Sequence, residues 1–117
     1  MTYVSGFLSP VKAENKDRYI ASAAKSWPLF KKYGALAQVE TWGVDVPPGK
    51  LTGFDLAVKL EADEIVVFSW LKWPDKATAD ACFATMESDP AWQDMDMPFD
   101  GKRMMWGGFD VIFDETA

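Results

Sequence analysis

Two hydrophobic periods run through this chain, and the places where one gives way to the other divide it into strands and helices. Residues 103–113 set the frame. At period two, Arg103, Met105, Gly107, Phe109, Val111 and Phe113 share one face, and Met104, Trp106, Gly108, Asp110 and Ile112 share the other. A strand with one side in water is polar on that side, and neither face here is polar. Such a strand needs two covers: the chain's helices for one, and a second copy of the chain for the other. Residues 2–9 alternate in the same way, with Tyr3 and Phe7 opposite in sense to Val4 and Leu8, until Pro10. Residues 65–73 are apolar on both faces and read as a central strand. Residues 35–46 read as a further strand, with Leu36, Gln38, Glu40, Trp42 and Val44 on one face.

Between these segments the period lengthens to that of a helix. Tyr19, Ile20, Ala23, Trp27 and Phe30 form one stripe, with Asn15 placed to cap the start and Gly34 the end. Pro28 falls inside that stripe and predicts a kink or a break. A second helix is predicted over 76–88, capped by Asp75 and burying Ala79, Cys82, Phe83 and Met86, with a short further turn over 91–97. Pro47-Pro48-Gly49-Lys50 suits a type II turn, and residues 54–60 alternate as an extra hairpin strand. The order is that of an α+β, ferredoxin-like βαββαβ fold in one domain, residues 1–117. Both helices then lie on one sheet face, and the first and last strands pair. Each of those strands carries Gly beside Phe (Gly6-Phe7 and Gly108-Phe109), so a ring is expected to cover a bare glycine on the neighbouring strand.

Charge and composition narrow the chemistry. Eighteen acidic residues against twelve basic ones leave a net charge of −6, and the only adjacent basic pairs are Lys31-Lys32 and Lys102-Arg103. Nucleic-acid binding needs clustered cations, so that partner is not expected. The chain has no histidine, which removes the commonest general base and the commonest metal ligand. No metal-ligand spacing occurs, and no cofactor is implied. No apolar run reaches membrane-spanning length, and the N-terminal residues lack the basic flank and cleavage site of a signal peptide. The single Cys82 fits a reducing, cytoplasmic setting.

Several stretches carry a resemblance. They are Tyr3-Val-x-Gly-Phe7, Gly34-Ala-Leu36, Val39-Glu40, Asp45-Val-Pro-x-Gly-Lys50, Ala57-Val-Lys59, Val66-Val-Phe-Ser-Trp70, Ser88-Asp-Pro90, Met97-Pro-Phe-Asp-Gly-Lys-Arg-Met104 and Gly107-Gly-Phe109. Together they resemble the DUF1428 family of small bacterial proteins over essentially the whole chain. The resemblance implies a dimeric α/β barrel, in which two ferredoxin-like sheets face each other. It implies no particular activity. Architectures of this kind include cofactor-independent monooxygenases, small-molecule isomerases and haem-handling enzymes, and fold alone transfers none of these.

The candidate pocket residues are Glu40, Trp42, Trp70 and Arg103, expected around one cavity on the sheet face away from the helices. Glu40 among apolar neighbours suits a general base, and equally a rim carboxylate paired with a cation. Arg103 suits a two-pronged clamp on a carboxylate or enolate, and equally a structural pair with Asp100, Glu40 or another carboxylate. Trp42 and Trp70 suit stacking on a flat ligand, and equally core or interface packing. Asp45 and Lys50 flank the Pro-Pro-Gly turn and Asp100 precedes the last strand, which makes these three loop candidates. Cys82 reads as an inert core thiol. Two function classes remain: a homodimer with a small-molecule pocket, with or without enzymatic chemistry, and a homodimer that binds or builds without chemistry.

Overall fold

A computed structural model describes all 117 residues. Strand β1 is Tyr3–Lys12, helix α1 Lys16–Lys32, strand β2 Ala37–Glu40, a single helical turn α2 Phe54–Ala57, strand β3 Glu64–Trp73, helix α3 Lys76–Ala84 and strand β4 Met105–Asp110. Tight turns of 3₁₀ helix occupy Ala13–Asn15, Thr85–Glu87 and Pro90–Asp94. The strands form one antiparallel sheet in the order β2-β3-β1-β4. In β1 and β4, Tyr3 lies opposite Asp110 and Leu8 opposite Met105, the pairing that the alternation of both segments predicts. This is the ferredoxin-like topology.

The barrel expectation is corrected. The sheet is open and does not close into a barrel, because its order β2-β3-β1-β4 leaves β2 and β4 as free edges. The extra hairpin strand is also absent. Residues 54–57 make a helical turn because the Asp55 carboxylate accepts from the backbone N–H of Gly49 (3.0 Å) and of Leu56 (2.9 Å). That local bonding competes with a strand ladder, and Lys59, at φ +49°, ends the segment. Gly49 does not take the positive φ of a type II turn. Strand β2 is shorter than predicted, although Thr41 and Gly43 still donate to Phe68 O (3.2 Å) and Val66 O (3.0 Å). Two prolines, Pro47 and Pro48, then deny further donors.

Helix α1 runs unbroken through Pro28. Only Leu29 to Lys32 follow that residue, and Trp27 and Phe30 pack against the core on either side of it. Asn15 makes no side-chain cap, since the 3₁₀ turn leads straight into the helix, whereas Asp75 caps α3 by accepting from Thr78 N at 2.8 Å. Gly34 sits at φ +104° after α1, as a C′ glycine should.

Residues opposed in the register share a sheet face. One face carries Ser5, Leu71 and Trp73 under α1 and α3, where Leu71 and Trp73 join Ala35, Ala79 and Cys82 in the core. The fully buried Trp73 donates its indole N–H to Ser5 Oγ at 3.1 Å. Strands β1 and β4 cover each other's glycines: Phe109 of β4 lies over Gly6, and the Tyr3 phenol of β1 occupies the space above Gly108. The opposite face carries Val4, Leu8, Val39, Phe68, Trp70, Met105 and Phe109. Neither α1 nor α3 covers it; Phe54 of the α2 turn packs on Phe68 at 6.4 Å between ring centroids, and Phe68, Met105 and Phe109 are still about half exposed. No helix of the chain is long and apolar enough to cross a membrane.

Candidate functional site

The main cavity, about 660 Å³, lies between the sheet and its helices, and not on the bare face where the sequence places it. The reason is side-chain size. Ser5, Ser9 and Ser69 line the sheet floor there, and short side chains under a helix layer leave space that Leu71 and Trp73 fill at the other end. Helix α1 supplies Tyr19, Ser22, Ala23 and Ser26 as one wall. Met86, Trp92, Met95, Met97 and Met104, from the long connection before β4, supply another. Methionine adapts to irregular apolar surfaces.

One polar cluster stands in this mostly apolar lining. Tyr19 Oη donates to Glu40 Oε1 at 2.5 Å, and Gln38 Nε2 donates to Glu40 Oε2 and to Ser26 Oγ, each at 3.1 Å. Ser26 in turn donates to Ala23 O at 2.9 Å. Gln38 Oε1 is buried without a donor. Burial first, and then the Glu40 charge, push Tyr19 ionisation far above the ordinary phenol range. Its hydroxyl therefore stays protonated and donating.

The wall formed by the long connection is tied down to α1. Arg18 grips Asp96 with two bonds of 2.5 and 2.6 Å, Ser22 Oγ donates to Asp96 O, and Lys25 Nζ donates to Asp94 O at 3.0 Å. These contacts hold residues 94–96 against the helix that carries Tyr19.

Of the four pocket candidates, Glu40 lies on the cavity's face of the sheet, whereas Trp70 touches the cavity only from β3, its position facing the opposite side. The Trp70 ring packs on Phe68 at 5.4 Å between centroids. Trp42 lies outside the lining, against Tyr19 at 6.5 Å and beneath Lys16 Nζ at 5.6 Å. Arg103 lies apart from Glu40. Its guanidinium is bidentate to Glu64, with both bonds at 2.7 Å, and also bonds Asp100 (2.9 Å) and Lys59 O (3.0 Å). Those bonds hold the Glu64 carboxyl below its ordinary range and raise Arg103 further above its own. Asp100 is thus a partner of Arg103 and of Lys102 N (2.9 Å). Asp45 borders a shallow hollow beside Phe54 and Phe68, and neither it nor Lys50 reaches the main cavity. Burial pushes the Cys82 thiol up to about 11, which disfavours the reactive thiolate. No three His, Cys, Asp or Glu side chains converge as a metal cluster.

The sequence reading missed Tyr19 and Ser26, having taken Tyr19 as part of an apolar stripe. A signal was available: Ser22 and Ser26 interrupt that stripe at helical spacing from Tyr19, on the face turned towards the sheet.

With the geometry in view, relatives place the chain. The sequence model of DUF1428, described as a protein of unknown function, matches residues 2–101. The chain belongs to that family. Within DUF1428, the uncharacterised protein YbaA of Escherichia coli strain K12 is 53% identical over 117 residues, covering 98% of this chain and all of YbaA. Among solved structures, a dimeric ferredoxin-like protein from an uncultured marine organism is similar at a TM-score of 0.61 and 10% identity, with both chains wholly covered. A second such marine protein matches at a TM-score of 0.60 and 12% identity, covering 98% of this chain and 100% of its own. At these identities the likeness concerns the fold.

Proposed function

We propose that this protein is a homodimeric small-molecule-binding protein that takes an apolar ligand between its sheet and its helices. The observation that carries the reading is the cavity itself. Its volume of about 660 Å³ falls within the range of roughly 300–1,000 Å³ usual for ligand pockets. A mostly apolar wall broken by one cluster of converging polar groups is also the usual make-up of such sites. Two observations support the dimer: the half-exposed Phe68, Met105 and Phe109 on the sheet face that α1 and α3 leave bare, and the dimeric description of the two marine proteins that share the fold. The lone, buried Cys82 supports a reducing, cytoplasmic setting.

The test uses the neutral fluorophore N-phenyl-1-naphthylamine, whose emission rises on leaving water. The wild type should take it up, and Ala23→Trp, which fills the cavity from α1, should not, while both melt alike. Absence of uptake by the wild type, or uptake undiminished in Ala23→Trp, overturns the cavity reading. For the dimer, sedimentation at micromolar concentration should give two chains for the wild type and one for Phe68→Asp. A monomeric wild type overturns that part.

A further inference from the structure

We infer that the cavity is selective for amphipathic amines: an aromatic or aliphatic body inside, with an ammonium or other hydrogen-bond donor held at Glu40. This inference rests on the small-molecule reading above and adds the chemistry of the ligand.

Two independent features of the lining lead to it. The first is charge. Glu40 and Asp80 are the only charged side chains that border the cavity, and both are acidic. Asp80 is neutralised by Lys76 at 2.6 Å. Glu40 forms no salt bridge. Among the cations of α1, Arg18 pairs with Asp96, Lys25 donates to Asp94 O and Lys16 lies over the Trp42 ring, and none of them lines the cavity. A carboxylate or phosphate entering the cavity would meet no cation and one free negative charge, whereas an ammonium would find its counter-ion waiting.

The second feature is hydrogen-bond valence. Within the cluster itself the donors are spent: the Tyr19 hydroxyl on Glu40, both N–H of Gln38 on Ser26 and Glu40, and the Ser26 hydroxyl on Ala23 O. An ionised carboxylate offers about four acceptor positions, and only two are used here. Gln38 Oε1 receives nothing. Glu40 and Gln38 Oε1 therefore have acceptor positions to fill, and their complement is a molecule that donates. Tyr19 reinforces the arrangement by fixing the carboxylate from the cavity wall. Glu40 is itself exposed, so an ammonium there keeps part of its hydration while the body of the ligand enters among Phe30, Phe83, Trp92 and the methionines. Aromatic faces around a cation add attraction.

The experiment compares three probes of one shape, 2-(1-naphthyl)ethylamine, 3-(1-naphthyl)propanoate and 1-ethylnaphthalene, each displacing N-phenyl-1-naphthylamine. At low ionic strength the amine should bind at least about tenfold more tightly than the propanoate, a modest gain for one favourable charge contact. Glu40→Gln should abolish that preference, and added salt should shrink it in the wild type. Equal binding of amine and propanoate, tighter binding of the propanoate, or a preference that survives both Glu40→Gln and salt overturns the inference and leaves the cavity reading intact. Failure of all three probes to displace the fluorophore, 1-ethylnaphthalene included, removes both.

Discussion

Replacing Arg103 with alanine should be among the most damaging single changes in this chain. The Glu64 side chain is only 4% exposed and Arg103 only 19%. Without the guanidinium, the carboxylate loses two bonds of 2.7 Å and keeps the Glu61 backbone N–H at 2.8 Å. Stranding one partner of a buried pair costs about 3–5 kcal/mol. At roughly 4 °C per kcal/mol for a chain of this length, the melting temperature should fall by about 12–20 °C. The pH dependence follows from Glu64, whose folded-state pKa lies below its ordinary value of 4.5 because Arg103 bonds the charged form. Its contribution is therefore present above 4.5 and is lost as the pH falls through the lower folded value. In the variant, burial remains and the guanidinium does not, so the stranded carboxyl binds a proton more readily and acid relieves the defect. Urea denaturation of wild type and variant at pH 7 and pH 4 measures both effects, and the gap between the two proteins should narrow at pH 4. Adding Glu64→Gln to the variant should recover part of the loss at pH 7. A deficit below about 1 kcal/mol at pH 7, the worth of an exposed pair, or one that is constant with pH, would refute this account.

Other substitutions probe the layers around the cavity. Ser5→Ala removes the acceptor for the indole N–H of the fully buried Trp73 and should lower stability in urea by about 1–3 kcal/mol, the penalty for an unsatisfied buried donor. Gly34→Ala places a Cβ 2.5 Å from Thr78 Cγ2 at φ +104°, so in a denaturant melt it should destabilise by more than the ~1 kcal/mol that a strain-free glycine-to-alanine change can add to stability. Alkaline titration followed by tyrosine absorbance should lose its last-ionising group in Tyr19→Phe, because burial and Glu40 together hold that phenol protonated. With the folded pKa raised, the stability from Tyr19 is present below the ordinary phenol value and declines as the pH rises past it.

Local pattern carried most of the fold. Period-two alternation located β1, β3 and β4, and the Tyr19–Phe30 stripe located α1. Asp75 announced the start of α3, and Gly34 the end of α1. These signals are legible because each depends on residues within one or two turns of one another. The same reasoning failed at residues 54–60, where alternation is satisfied equally by a strand and by a short helical turn, and where the Asp55 carboxylate, bonded to Gly49 N, settles the choice. Of the kink or break expected at Pro28, the break does not occur, and Trp27 and Phe30 pack against the core on either side of that residue.

The candidate site divides in the same way. Parity along β2 identified Glu40 as a carboxylate among apolar neighbours, and that much followed from sequence alone. Which layer Glu40 faces did not, because a two-sided apolar sheet gives no local clue to the side its helices will cover. The same blindness joined Arg103 to Glu40. Both charges share strand faces with apolar residues, but only the register of β3 against β1, and the turn before β4, bring the guanidinium to Glu64 instead. The sequence by itself determined the elements, their order and the pairing of first and last strands, because periodicity and caps act over short spans. The open sheet, the cavity beneath α1 and the choice of partner for each buried charge were decided only by tertiary structure, because they depend on how segments far apart in the chain meet and on the space their side chains leave.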